Sequence, residues 1–198
     1  MANYKLRKDG QVKTRVISAS RRTDLPRFYP DVLAHRIQGL RRRSVVVLWT
    51  KYPASIYQHQ KLAEALSRHY AVALVTITGM GGYPIEPGVP PWQQTIAETE
   101  KLITFLGDPA RVRIRFDPIV YFYEGWSNLS LFPPIASSVA ELGVKHIIFS
   151  FVHLYPQVKR GLEESGIHLI DPPLAPVSYT HLRAHETRHD LVCRLLLE

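Results

Sequence analysis

Charged and hydroxyl side chains follow the ends of five short apolar segments along the chain. Arg21, Arg22 and Asp24 follow the first segment, and Lys51 follows the second. Guanidinium and ammonium groups bind carboxylates and phosphates, and a carboxylate can orient such a cation or transfer a proton. These residue types therefore predict a site for an anionic small molecule or a nucleotide-like substrate, with acid–base groups beside it.

Three residues are the candidates for catalysis. Asp24 would act as a base or orient an arginine, and Lys51 follows Trp49 and could be desolvated for amine chemistry. A cation that only balances Asp24 or Asp117 explains Lys51 equally well. Asp117 lies two residues after Arg115, so strand alternation points both side chains to one face. Because a buried ion pair is weak as pure stabilisation, Arg115 and Asp117 favour a functional site.

A second group of candidates would bind the substrate or another anion. They are Ser18, Ser20, Arg21, Arg22, Thr78, Glu86, Arg115 and Ser150. Glu86 lies in a long loop rich in glycine and proline, over residues 79–91, that could be a lid or a stiff surface loop. His153 follows the fifth apolar segment, but a lone histidine is more often packed than catalytic. The sequence predicts no metal ligand.

The apolar segments alternate with helical patterns. The sequence predicts strands over residues 15–19, 44–48, 71–77, 111–116, 145–151 and 167–170, and helices over 31–36, 55–69, 92–106, 129–142 and 156–165. This alternation indicates βα units, and nearly continuous apolar strands are typical of parallel strands covered on both faces. The prediction is a single α/β domain over residues 1–175, a C-terminally truncated parallel (β/α) barrel of five to six βα units. A doubly wound open sheet is the alternative.

The barrel prediction also places the site. In parallel barrels the active site lies at the C-terminal ends of the strands, which share one face. The polar groups that follow the five apolar segments would therefore meet in one pocket. For a doubly wound sheet, a glycine-rich phosphate turn is expected after the first strand, and this sequence has none there.

Residues 176–198 are predicted to be a non-native tail, unstructured or a stray helix. Codons for residues 177–187 and 191–198 can be chosen that match the two ends of a sequencing adapter read in frame. The three residues between them fit an index barcode. The only cysteine, Cys193, lies in this tail. The tail also contains a match to the HExxH zinc-protease pattern, from His185 to His189, but its second histidine falls in the barcode. The tail is therefore set aside from fold reasoning.

The charge distribution bears on possible partners. The formal net charge is +8, and residues 1–43 hold twelve Lys or Arg against three Asp. This basic end could bind nucleic acid, or it could be a solvated arm followed by the turn at residues 41–43. No apolar run is long enough to span a membrane and no signal peptide is evident, so the sequence predicts a cytoplasmic protein without a membrane partner. It predicts no oligomeric state.

Five ordered motifs resemble an uncharacterised bacterial family, domain-of-unknown-function family 1848. They span residues 18–24, 49–53, 76–79 with 86–90, 115–119 and 150–152, within a resemblance over about residues 15–170. Full-length members are similar to radical S-adenosylmethionine enzymes in carrying a C-terminal cysteine cluster. The resemblance implies a [4Fe–4S] cluster and S-adenosylmethionine for a full-length protein, and neither can be assigned to residues here. His153 stands where the resemblance implies an acidic residue.

The resulting hypothesis is that the full-length protein is a barrel enzyme of the iron–sulfur, radical type. The present chain would lack the ligands of the cluster. Arg21, Arg22, Lys51 and Arg115 would bind the anionic substrate or cofactor. Two alternatives stay open. One is a barrel enzyme that needs no cluster and uses Lys51 or Asp117 in acid–base chemistry. The other is a basic nucleic-acid-binding module.

Overall fold

The computed structural model describes residues 15–19, 23–40, 44–171 and, for the backbone only, 193–196. Its centre is a sheet of five parallel strands: β1 (Val16–Ala19), β2 (Val45–Thr50), β3 (Tyr70–Thr76), β4 (Val112–Ile119) and β6 (His146–Phe151). The predicted α/β class and parallel sheet are confirmed. In this part of the chain, no helix is long and apolar enough to cross a membrane.

The parallel strands lie side by side in the order in which they occur along the chain. This order contains no reversal, whereas a doubly wound sheet reverses its strand order at a switch point. The helices that connect the strands are α1 (Leu25–Phe28), α2 (Pro30–Gln38), α3 (Ala54–Gln58), α4 (Gln60–Leu66), α5 (Trp92–Leu106) and α6 (Phe132–Glu141). The helix α7 (Pro156–Glu164) follows β6.

The hydrophobic core lies between one face of the sheet and helices α2 to α6. Alternate residues of the central strands point into it: Val46 and Leu48 of β2 and Ile114 and Phe116 of β4 are each 0% exposed. The residues between them, such as Trp49, are only half-buried. We call this second side of the sheet the open face. The alternation therefore separates a packed side from a side on which polar groups remain accessible.

Helix α2 contains the helix predicted over residues 31–36 and is one residue longer at its N-terminus and two at its C-terminus. Helix α1, which precedes it, was not predicted. Asp24 caps α1 because its carboxylate accepts a hydrogen bond from the Arg27 backbone N–H at 3.2 Å. Pro26 and Pro30 lie in the first turns of α1 and α2, where the missing N–H of proline is harmless. Each proline therefore lies at the start of a helix.

The single helix expected over residues 55–69 is divided into α3 and α4. His59 is extended, with φ −83° and ψ 102°, and its Nδ1 accepts a hydrogen bond from the Leu62 backbone N–H at 3.4 Å. A side chain that caps a new helix competes with continuation of the old one. The helix expected over residues 129–142 likewise begins with a short 3₁₀ segment, Asn128–Leu131, and becomes α6 at Phe132.

The predicted helix over residues 92–106 is confirmed without change as α5. Gly107 follows it with φ 80°, in the left-handed conformation that commonly ends a helix. Helix α7 also agrees with its prediction to within one residue at its C-terminus.

The strand expected near residues 167–170 does not join the parallel sheet. It is the short strand β7 (Leu169–Ile170), which pairs antiparallel with β5 (Tyr121–Phe122). In the tail, Cys193–Leu196 form β8, which pairs antiparallel with β6. These four residues are neither helical nor irregular, contrary to the expectation for the tail. Its predicted adapter origin is a separate question, and stays a prediction.

Candidate functional site

The candidate residues follow the C-terminal ends of neighbouring strands. Because all five strands are parallel, these ends lie along one edge of the sheet, as the sequence predicts. The site consists of two hydrogen-bonded groups of side chains. The first group contains Asp24, Thr50, Lys51, Thr78 and Glu86, and the second contains Ser18, Trp49, Thr76, Arg115, Asp117 and Ser150.

Asp24 joins the segment after β1 to the end of β2. The Thr50 hydroxyl lies 3.0 Å from Oδ1 and 2.9 Å from Oδ2 of Asp24, and the Lys51 backbone N–H donates to Oδ2 at 2.8 Å. The Arg27 backbone N–H adds the capping bond. The Asp24 side chain therefore fixes the backbone from which Lys51 projects.

Burial raises the pKa of Asp24 above its ordinary value, and its hydrogen bonds from the Lys51 backbone, Thr50 and the Arg27 backbone oppose this shift only in part. The neutral form of the carboxyl is thus favoured relative to a carboxyl in water. A proton-transfer role for Asp24 stays a prediction.

Glu86 reaches into the site from the long loop and contacts two other strand ends. Its Oε1 forms an ion pair with Lys51 Nζ, and its Oε2 accepts a hydrogen bond from the Thr78 hydroxyl at 2.6 Å. The Glu86 side chain is only 9% exposed, whereas that of Lys51 is 33% exposed. The sequence predicted that Glu86 could point inward. It did not predict that Lys51 pairs with Glu86 rather than with Asp24 or Asp117.

Arg115 and Asp117 share the open face of β4 and form an ion pair, as strand alternation predicts. The Ser150 hydroxyl of β6 donates to the second oxygen of Asp117. The ladder between β4 and β6 shifts register between Phe116 and Ile119, which places Asp117 in an irregularity of the kind that re-aims side chains near active sites.

The guanidinium of Arg115 is held on two further sides. Its Nη1 lies 3.3 Å from the Thr76 hydroxyl of β3, and its Cζ lies 4.4 Å from the centre of the Trp49 ring. The indole N–H of Trp49 donates to the Ser18 hydroxyl of β1 at 2.9 Å. The Asp117 and Thr76 contacts use two of the five N–H groups that a guanidinium carries. Arg115, 21% exposed, is thus oriented in advance with donors left for a ligand.

Asn128 is a supporting residue that the sequence reasoning missed. It is 0% exposed, and its Nδ2 donates to the carbonyls of Thr78 at 2.9 Å and Pro118 at 3.0 Å. Its Oδ1 accepts from the Val120 backbone N–H at 2.8 Å. One side chain therefore joins the residue that binds Glu86 to the residues after Asp117. An asparagine between a strand and a helix is an ordinary turn residue, so its type gave no signal of this role.

Not every predicted residue falls within the described part of the chain or contacts the site. Ser20, Arg21 and Arg22 lie outside the described residues, as do the basic residues 1–14 and 41–43 on which the nucleic-acid hypothesis rests. His153 packs edge-on against Tyr155, with ring centres 4.3 Å apart. Within the described site, Lys51 forms an ion pair with Glu86 and Arg115 forms one with Asp117, so both cations already have a carboxylate partner.

The described residues also bear on a metal site. Within that part of the chain, no group of three or more His, Cys, Asp or Glu side chains could hold a metal ion. Iron–sulfur clusters are held by several cysteine thiolates, and the printed sequence contains one cysteine. The residues present therefore do not fit the cluster that the resemblance implies.

Comparison with known proteins gives one match. The profile of a family described as "Domain of unknown function (DUF1848)" matches residues 40–194. The match starts after the Ser18–Asp24 motif and runs into the predicted tail. No curated protein matches the chain, and no solved structure matches it either. Since the family profile covers well over half of the sequence, the chain belongs to the DUF1848 family of domains of unknown function.

Proposed function

We propose that the strand-end site binds a small anionic molecule, with Arg115 as the main recognition group, and that the domain is an enzyme. The observation that carries this is the state of Arg115. Its guanidinium is stacked on Trp49, paired with Asp117 and close to Thr76, yet remains partly exposed. A guanidinium held in this way matches carboxylate and phosphate groups with little loss of side-chain freedom.

The composition of the site supports function over stability. The residues come from positions 18 to 150 and converge on one edge of the sheet. Partly buried ion pairs contribute little net stability, because removing both charges from water offsets their attraction. Two such pairs lie at this edge of the sheet, Lys51 with Glu86 and Arg115 with Asp117, and the backbone of Lys51 contacts Asp24, whose pKa is raised. This combination is typical of active sites.

The proposal includes a (β/α)-barrel architecture. It is supported by the strand order, which follows the chain, and by core residues from helices α2 to α6 that pack on one face of the sheet. In a barrel the open face would be the interior, and Arg115 and Asp117 would project into it. We also propose, from the sequence alone, that the protein is cytoplasmic.

The iron–sulfur and S-adenosylmethionine part of the hypothesis is retained only for a longer chain. A cluster would need more cysteines than the one in this sequence, so no chemical step is assigned to a cluster. Arg115 and Lys51 would then bind the anionic part of the substrate or cofactor.

The test uses thermal unfolding with inorganic phosphate as the probe. A ligand that binds only the folded state raises the melting temperature with its concentration. The Arg115→Gln variant should lose this rise, with sodium chloride at matched ionic strength as the salt control. Arg113 lies on the same face of β4, two residues earlier, so Arg113→Gln removes the same charge outside the site. The proposal is wrong if Arg115→Gln and Arg113→Gln respond to phosphate alike.

A second candidate function is acid–base catalysis that needs no cluster, with Asp24 as the proton-transferring group. The raised pKa of Asp24 favours it. The test is hydrogen–deuterium exchange at carbon next to the carboxylate of small organic acids in heavy water, followed by proton NMR. The wild-type protein should catalyse exchange and Asp24→Asn should not. Exchange that is equal in both proteins would remove Asp24 from this role.

A further inference from the structure

The side chain of Glu86 occupies a place suited to an external anion. One of its oxygens accepts a hydrogen bond from the ammonium of Lys51, and the other accepts one from the Thr78 hydroxyl at 2.6 Å. An ammonium and a hydroxyl that converge on one carboxylate are the same donors that a ligand carboxylate or phosphate would require. Lys51 is more exposed than Glu86, so a ligand in solution can reach the ammonium.

The loop that carries Glu86 is held by contacts that do not involve its carboxylate. The Glu86 backbone N–H donates to the Tyr83 carbonyl at 2.9 Å, and the Glu86 carbonyl accepts from Gly82 at 3.1 Å and from Val89 at 3.2 Å. The Tyr52 hydroxyl donates to the Gly88 carbonyl at 2.8 Å.

Met80 anchors the start of the same loop, because its side chain is only 1% exposed. Main-chain bonds and this buried side chain thus define the loop without the carboxylate. The carboxylate can leave Lys51 while the loop keeps its fold.

We infer that Lys51 and Thr78 form a second anion subsite, and that the carboxylate of Glu86 is its internal occupant, which a ligand carboxylate or phosphate displaces. The inference rests on the proposed function, since it assigns this subsite to the same strand-end site. Glu86 then regulates the site by competition. The carboxylate of Glu86 lowers the apparent affinity of the subsite for a small anion, because the anion must displace it. The charge of Lys51 stays neutralised by Glu86 until that exchange occurs.

The distinguishing variant is Glu86→Gln, which keeps an oxygen for the Thr78 hydroxyl and removes the competing charge. Its affinity for inorganic phosphate, measured by calorimetry, should increase about fivefold, the size expected when one competing ion pair is lost. Glu124→Gln is the control for a general electrostatic effect of removing one negative charge. Glu124 is exposed in the turn after β5, near the same edge of the sheet, and its substitution should leave the affinity unchanged.

The outcomes separate this inference from the proposed function. Tighter binding in Glu86→Gln alone supports the subsite, and Lys51→Met should abolish the gain. Unchanged or weaker binding in Glu86→Gln, with phosphate still bound through Arg115, overturns the inference and leaves the proposed function intact. A melting temperature that falls in Glu86→Gln without any gain in affinity shows that the ion pair is a structural strut, which also overturns it. Absence of phosphate binding in every variant removes both.

Discussion

The hydroxyl of Thr50 donates one hydrogen bond that the two oxygens of the Asp24 carboxylate share, at 3.0 and 2.9 Å, across 26 residues of sequence. This contact ties the segment after the first strand to the end of the second. It also links a helix cap to the backbone of Lys51, which donates to the same carboxylate. Changes at Asp24 should therefore affect both folding and the site.

Asp24 should give the protein a specific dependence of stability on pH. Because burial raises the pKa of Asp24 in the folded state, folding favours its protonated form. The contribution is fully present below the ordinary aspartate pKa of about 3.9 and is lost as the pH rises through the raised folded value. The free energy of unfolding of the wild type minus that of Asp24→Asn should therefore fall as the pH rises.

Urea denaturation at a series of pH values measures this difference. Asp31 provides a control of opposite sign, since its hydrogen bond with Lys61 lowers its pKa. The contribution of Asp31 should be present above the ordinary aspartate pKa and decline as the pH falls. If the Asp24→Asn difference instead grew with pH, burial would not be the dominant influence on Asp24.

Asn128→Ala should destabilise the fold by about 2–4 kcal/mol, because two carbonyls and one N–H would lose their partner in a buried place. Denaturant titration measures the loss. Ser130→Ala removes an exposed hydroxyl that donates to the Ser127 carbonyl, and should change stability by less than about 0.5 kcal/mol. Equal effects of the two substitutions would contradict the role given to Asn128.

Gly79→Ala should be more destabilising than Gly107→Ala. Both glycines have positive φ, 78° and 80°, so alanine at either position costs about 1–2 kcal/mol of backbone strain. A Cβ at Gly79 would also lie 2.7 Å from Leu131 Cδ1, whereas one at Gly107 has nothing within 4 Å. The additional crowding should cost about 1–3 kcal/mol. Denaturant titration of both variants measures the two losses of stability. Equal losses would show that the Leu131 side chain moves aside freely.

Trp49→Leu should weaken phosphate binding by about 3- to 20-fold, because it removes the ring on which the Arg115 guanidinium is stacked. Trp49→Phe keeps a ring and loses the indole N–H that donates to Ser18, so its affinity should fall less. Calorimetric titration of both variants provides the comparison. A greater loss in Trp49→Phe than in Trp49→Leu would mean that the hydrogen bond, and not the stacking, orients Arg115.

The sequence predicted the strands more successfully than the contacts among the candidate residues. Helix α5 and its terminal Gly107 follow from local spacing and from a glycine suited to positive φ. The shared face of Arg115 and Asp117 follows from strand alternation alone. These features depend on neighbours within a few residues, and local physical rules determine them.

The partners of Lys51 and the role of Asn128 could not be predicted, because they depend on where separate segments meet. Lys51 pairs with a residue 35 positions away in a loop without regular structure. Asn128 bonds to a carbonyl 50 positions away. Similarly, β7 pairs with β5 because both lie beyond the parallel sheet, and periodicity within a strand does not identify its neighbour.

A crystal structure of the protein soaked in inorganic phosphate tests the central claim most directly. The account predicts an anion within hydrogen-bond distance of the Arg115 guanidinium, on the open face beside Asp117 and Ser150, and no such anion in crystals of Arg115→Gln. Phosphate bound only elsewhere on the surface, with the strand-end site holding none in the wild type, would contradict it.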